Sequence, residues 1–218
     1  MSLAIFDLDN TLIAGDSDFL WGQFLVDRGI VDKNYYEHAN RQFYADYQQG
    51  NLDIEKYLAF SLAPLALHDI RQLLDWREEF MAEIIQPLYL AAGQALVETH
   101  RRQGDTLLVI TATNRFVTEP IAKLYGIDIL LATTPEMAGG QYTGKFTGVP
   151  CYREGKVTHL DNWLAANAEN LDNSWFYSDS HNDLPLLNRV ANPVVVDPDP
   201  ELLAAANQAG WPVISLRV

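Results

Sequence analysis

A single cysteine, Cys151, stands in the 218-residue chain. No internal disulfide can form, a reducing compartment is expected, and the lone thiol reads as a small buried hydrophobe. Basic residues are scarce as well: 15 Lys and Arg face 29 Asp and Glu, for a net charge of −14. Such a chain is repelled by phosphate backbones and anionic lipid, so neither nucleic acid nor a membrane surface is an expected partner. No apolar run approaches the ~20 residues of a membrane span. The start, Met1 to Asp7, has neither a basic segment nor a long apolar core, so no signal peptide is expected. With 48% apolar and 20% charged residues, rods, collagen-like repeats and long disorder are excluded. The expected setting is soluble and cytoplasmic, and an anionic substrate there needs a pocket made positive by a metal, a lysine or helix N-termini.

What is present is a rhythm. Short apolar runs recur at Leu3–Phe6, Leu107–Ile110, Ile127–Leu131, Trp175–Tyr177, Val194–Val196 and Val213–Leu216. They lack polar alternation, as parallel strands covered on both faces do. Helical patterns separate most of them, at Leu90–Gln103, Thr118–Tyr125, Gly155–Ala168, Leu184–Val190 and Glu201–Gln208. Strand and helix repeated this way predict an α/β fold, a doubly wound parallel sheet of Rossmann-like type. From Asp16 to Gln86 the rhythm breaks into about four helical stripes with joints near Gly29, Gly50 and Pro64. This interval reads as an inserted helical bundle, a cap over 16–87, on a core of 1–15 and 88–218. Its insertion point after the first strand places it at the sheet's carboxyl edge, where doubly wound folds bind ligands. A hairpin over Gln141–Gly148 is expected with Gly139-Gly140 as its turn.

The chemistry-bearing residues sit at predicted strand ends. The first strand runs into Asp7-Leu8-Asp9-Asn10-Thr11, the second into Thr111, and the one ending at Tyr177-Ser178 into Asp179, with Asp183 four residues on. Lys156 opens the helical stretch between the last two. In a parallel sheet these ends gather along one edge, bringing together four carboxylates, a hydroxyl and an ammonium. Paired carboxylates in a dry place call for a shared cation or proton. Hard oxygen ligands suit Mg²⁺, and the whole set suits phosphoryl transfer, with a carboxylate nucleophile, a second carboxylic acid as proton donor and a lysine for the phosphate charge. Taken singly, Thr111, Asp16 and Asp183 also read as helix caps, and a lone lysine as a surface charge.

In order and context, Asp7-x-Asp9-x-Thr11, Thr111, Lys156 and Asp179-x-x-x-Asp183 resemble the four motifs of the haloacid dehalogenase-like hydrolases. The helical insertion after the first motif resembles the cap of their phosphoserine-phosphatase-like branch. The resemblance implies an aspartyl-phosphate mechanism with Mg²⁺: Asp7 as nucleophile and metal ligand, Asp9 as general acid/base lending its backbone carbonyl to the metal, and Asp179 and Asp183 at the metal. It implies Thr111 and Lys156 as phosphoryl holders, with the neighbouring Ala112 at the substrate. An Asp at position 9 points to phosphatases and phosphomutases.

Phosphoserine phosphatases carry an acidic residue nine positions after the nucleophile, where it binds the substrate amine; here that position is Asp16, with Asp18 close by. Their Ser-Gly-Gly after the second motif strand is replaced by Thr111-Ala112-Thr113, and that departure argues against a substrate carboxylate unless Arg41 of the cap binds one. Ser178, where Gly is common, resembles a subgroup with members that hydrolyse histidinol phosphate. The expected function is a Mg²⁺-dependent phosphomonoesterase acting on a small amine-bearing ester, with histidinol phosphate foremost. The alternatives are a phosphoserine phosphatase or a phosphotransferase of the same fold and, from another class, a catalytically silent metal-binding regulatory module.

Overall fold

A computed structural model describes residues 2–217; Met1 and Val218 lie outside the described residues. Strand β1 (Leu3–Phe6) is wholly buried and pairs in parallel with β2 (Thr106–Ile110), which pairs with β3 (Ile129–Leu131). A two-stranded hairpin, β4 (Thr134–Ala138) and β5 (Gln141–Thr147), turns at Gly139-Gly140 as expected, but the stretch from Gln141 supplies only its second arm, the first lying before the glycines. On the other side of β1 follow β6 (Trp175–Ser178), β7 (Asn192–Val196) and β8 (Val213–Ile214). The main sheet is six-stranded and parallel, ordered β3-β2-β1-β6-β7-β8. Every apolar run named above supplies one of its strands, though Ile127 and Leu216 fall outside β3 and β8.

Both faces of the sheet are covered, which is why its strands read as unbroken apolar runs. Side chains alternate across a strand, so Ala4 and Phe6 join one core cluster while Leu3 and Ile5 join the other. On the first face pack α5 (Ala91–Gln103) and α6 (Arg115–Leu124), through Val97, Val117 and Ile121. On the second pack α7 (Glu154–Asn167), the short α8 (Leu184–Leu187) and α9 (Pro200–Ala209), through Leu160, Leu186 and Leu202.

Between β1 and α5 stand four helices, α1 (Ser17–Asp27), α2 (Lys33–Gln48), α3 (Ile54–Leu67) and α4 (Ile70–Phe80). Each begins at an aspartate whose carboxylate accepts from a first-turn N–H: Asp16, Asp32, Asp53 and Asp69. Each cap satisfies an orphan donor and complements the positive helix end, worth about 1 kcal/mol apiece. α1 and α2 touch closely at Gly22, where a Cβ would stand 2.7 Å from Asn40 Nδ2. The chain leaving β1 and the chain returning to α5 are tied together, Ile13 pairing with Tyr89 and the Ala14 N–H donating to Leu88 O at 2.9 Å.

One joint differs from expectation. Pro64 is buried within α3, and the break falls instead after Leu67, where Asp69 starts a new cap. A proline forfeits one helical hydrogen bond, and here the burial of Leu62 and Leu65 on the same helix outweighs that loss. α4 also runs on through a π turn, Met81–Ile85, and a 3₁₀ turn, Gln86–Leu88, which the periodicity alone did not separate from the α-helix.

Candidate active site

The carboxyl ends of β1, β2 and β6 lie side by side, and the first turn of α7 faces them. The Asp7 N–H still follows sheet register, donating to Tyr177 O at 2.9 Å, before the chain turns sharply and the Leu12 N–H bonds Leu8 O. This turn carries Asp7 and Asp9 to the sheet's edge. Opposite, Lys156 reaches in because α7 starts tight against Pro150: a Cβ on Gly155 would stand 1.9 Å from the Pro150 carbonyl oxygen. Only glycine allows that approach.

Lys156 Nζ lies 2.8 Å from Asp7 Oδ1 and 2.8 Å from the Asp183 carboxylate, with all three side chains buried. The Ser178 hydroxyl donates to Asp183 at 2.7 Å. Asp9 is gripped by other donors, the Ser17 N–H at 2.7 Å and the Thr113 hydroxyl at 2.7 Å, with the Thr111 hydroxyl at 3.4 Å. The Thr11 hydroxyl donates to Asp179 at 3.0 Å. Segments from across the chain thus meet in one acidic cluster.

Burial sets the electrostatics. Desolvation pushes Asp7 up to about 7, against the pull of Lys156. It raises Asp9, and it raises Asp179 well above the usual carboxylate range with further help from the Asp7 charge. Burial alone lowers a lysine, but Asp183 and Asp7 outweigh it and hold Lys156 above its normal value, fully charged. One ammonium between so many carboxylates leaves an excess of buried negative charge, a cluster in need of a cation.

Mg²⁺ fits that need only through few protein ligands. Among the described residues no three His, Cys, Asp or Glu side chains gather round one point. Asp183 is occupied by Lys156 and Ser178, and the Asp9 carboxylate by Ser17 and Thr113. Asp7 and Asp179 each spend one oxygen, Asp7 Oδ1 on Lys156 and Asp179 Oδ1 on Thr11; their second oxygens remain, with backbone carbonyl oxygen, a sparse all-oxygen set of the kind that Mg²⁺ takes while keeping its waters. Asp183, expected to support the metal directly or through water, is bonded here to Lys156 and Ser178.

Above the cluster the helices frame a cleft. Asp7, Asp9, Thr111 and Ala112 form its floor, Asp16 and Asp18 reach in from the start of α1, and aromatic side chains of α1, α2 and α3 wall it. Desolvation raises Asp16 well above the carboxylate norm and Asp18 to about 7. Arg41 is not part of this. It is exposed on the far side of α2 and paired with Glu37 at 2.6 Å, because the face carrying Asn40, Tyr44 and Tyr47 is the one turned inward. The lining of the cleft therefore contains no basic side chain among the described residues.

Sequence reasoning missed several contributors. Thr113 was read only as a missing glycine, yet it holds Asp9; two threonines spaced by one residue after a buried strand were the available signal. It also missed a set of contacts joining the helical layer to the core. Arg153 donates to Gly50 O at 2.7 Å and to Asn182 Oδ1 at 2.9 Å, and Asn182 Nδ2 donates to Tyr47 O at 3.1 Å. Nothing local to the sequence marks these loop residues.

A doubly wound parallel sheet with an acidic, lysine-bearing cluster at its carboxyl edge and a helical cover defines an α/β hydrolase of phosphoryl-transfer type. Residues 4–188 match the haloacid dehalogenase-like hydrolase family. A histidinol-phosphatase of Neisseria meningitidis serogroup C is 47% identical, with 99% of each chain covered. A crystal structure of a Bordetella pertussis protein of unknown function superposes with a TM-score of 0.93 at 42% identity, covering 99% of this chain and 98% of that one. A substrate-bound phosphoserine phosphatase shares the fold at a TM-score of 0.73 and 16% identity, covering 98% of this chain and 92% of that one. The chain belongs to the haloacid dehalogenase-like hydrolase family and is an enzyme of the phosphatase kind.

Proposed function

We propose that the chain is a Mg²⁺-dependent phosphomonoesterase working through an aspartyl-phosphate, and that its substrate is a small amine-bearing phosphate ester of the histidinol phosphate type. The helical segment 16–87 acts as the cover over a core of 1–15 and 88–218. The observation that carries this reading is a cleft whose base holds Asp7, with Lys156 bonded to that carboxylate from beneath, and whose walls carry acidic groups and no basic side chain among the described residues.

Asp7 attacks phosphorus in line, and the bond from phosphorus to the ester oxygen breaks. Lys156, held by Asp7 Oδ1 and Asp183, fixes the carboxylate and lends its charge to the phosphoryl oxygens. Thr111 and backbone N–H groups near Ala112 complete the phosphoryl seat. Asp9, steadied by Ser17 and Thr113, gives its proton to the leaving alkoxide and then takes one from the water that opens the aspartyl-phosphate. The Asp7 and Asp179 carboxylates and the Asp9 carbonyl would hold Mg²⁺, which would supply charge neutralisation at the transferring group. Asp16 receives the substrate ammonium. A substrate carboxylate finds no partner, since Arg41 points away, which disfavours phosphoserine.

The similarity to the Neisseria histidinol-phosphatase supports the substrate choice. The test is Asp7→Asn: turnover of p-nitrophenyl phosphate and histidinol phosphate with Mg²⁺ is expected to disappear while the circular dichroism spectrum is unchanged. Retained turnover overturns the nucleophile assignment.

A further inference from the structure

We infer that the cleft has a second cation subsite, distinct from the Asp16 ammonium site, in which Asp18 beside Tyr57 reads the N–H of a heteroaromatic ring on the substrate. The inference rests on the phosphatase reading above and deepens it by giving the ring its own recognition residue.

The first observation is an orphan. Asp18 is 8% exposed and lines the cleft, and its Oδ1 is buried without any hydrogen-bond partner. A buried carboxylate oxygen left without a donor is costly, and native chains rarely leave one unless a ligand completes it. Asp16, two residues earlier, differs: its Oδ1 already accepts from the Phe19 N–H and serves the helix start. Helix capping explains Asp16. It does not explain Asp18.

The second observation is the surroundings. Tyr57 is the hydroxyl neighbour of Asp18, and Phe43 and Tyr44 line the same cleft. Aromatic walls around a carboxylate fit a flat ring that stacks on its faces and donates from its edge. They suit an extended alkyl ammonium less, because a flexible alkyl chain presents no flat face to stack against them.

Charge gives the third. Both carboxylates come from the cover, and no basic side chain lines the cleft among the described residues. A substrate with one ammonium satisfies one of them. A substrate with an ammonium and an imidazole satisfies both, and phosphoethanolamine leaves Asp18 orphaned in the closed cleft. Selectivity between the two esters then arises at Asp18, where the wrong ligand strands a buried polar group.

The experiment has two arms. In the first, kcat/KM is measured with Mg²⁺ for histidinol phosphate and phosphoethanolamine in the wild type, Asp18→Asn and Tyr57→Phe. The ratio favouring histidinol phosphate is expected to fall at least tenfold in Asp18→Asn, through KM more than kcat, and by a smaller factor in Tyr57→Phe. In the second arm, calorimetry reads binding of L-histidinol and of lysinol, which keeps the amino alcohol but replaces the ring by an alkyl ammonium. L-Histidinol is expected to bind the wild type at least tenfold more tightly than lysinol and to lose that advantage in Asp18→Asn. Wild-type turnover of histidinol phosphate with an unchanged ratio in both variants overturns the subsite and leaves the proposed function standing. Asp18-dependent binding of L-histidinol without turnover retains the subsite and overturns the proposed function. Equal binding of lysinol overturns the ring assignment, no binding of either amino alcohol overturns the subsite, and absence of wild-type turnover of both esters overturns the proposed function.

Discussion

If Asp18 is kept for a ligand, the ligand-free protein is less stable for having it, and the size of that deficit follows from its environment. Burial lifts its pKa from 3.8 to about 7. Each unit is about 1.4 kcal/mol of preference for the neutral form, so holding the buried carboxylate charged costs about 4 kcal/mol. The sign follows from proton counts. In the unfolded chain Asp18 has released its proton by pH 5, whereas in the metal-free fold it keeps it until about pH 7. The folded state therefore binds more protons between these values, and wild-type stability falls as pH rises from 4 to 7. Asparagine has nearly the same shape and never ionises. Asp18→Asn is expected to match the wild type near pH 4, exceed it by about 2 kcal/mol at pH 5 and by about 4 kcal/mol at pH 8. For a chain of this length the last figure is about 8–16 °C in Tm. Urea unfolding in EDTA from pH 4 to 8 measures it. A gain that does not grow with pH, or no gain at pH 8, refutes the claim that Asp18 is an uncompensated buried acid.

Two further outcomes follow from the geometry. Lys156→Met removes the ammonium shared by Asp7 and Asp183, and breaking a buried ion pair from one side costs about 3–5 kcal/mol; denaturant melts are expected to show this, and phosphatase assays to show loss of turnover. Arg153→Ala severs the guanidinium bonds to Gly50 and Asn182, each charge-assisted bond worth about 1.5–3 kcal/mol; hydrogen exchange at residues 49–52 is expected to quicken while exchange in β1 stays slow, and unchanged exchange at the α2 end dismisses the contact as a tie.

How much could be read from the chain itself depended on how local each signal was. The sheet was legible because a parallel strand covered on both faces carries its burial in consecutive residues, as in Leu3–Phe6 and Leu107–Ile110. Asp7, Asp9, Lys156 and Asp179 were legible because the strand-end rule needs only topology to bring them together. Pro64 was misplaced because local propensity assigns a joint where packing of Leu62 and Leu65 keeps a helix. Arg41 was misassigned although α2 held the answer: it follows Glu37 by four residues on the outer face, one step round from the inward Asn40. The Arg153, Asn182 and Tyr47 contacts join segments about 100 or more residues apart through backbone carbonyls, and no residue pattern announces those.

The same geometry weighs against a catalytically silent metal-binding module. On the proposed reading a cation would need the Asp7 and Asp179 carboxylates. It would not need the Asp9 carboxylate to be fixed by the Ser17 N–H and Thr113 hydroxyl on the cleft floor, nor a buried lysine between Asp7 and Asp183. A carboxylic acid raised by burial and held at the mouth of the phosphoryl seat is what a leaving alkoxide needs and what a storage site lacks. The cover bears on the phosphotransferase alternative as well. On the proposed reading a second alcohol as acceptor would have to fit the same aromatic and acidic lining as the first, whereas water needs no such fit.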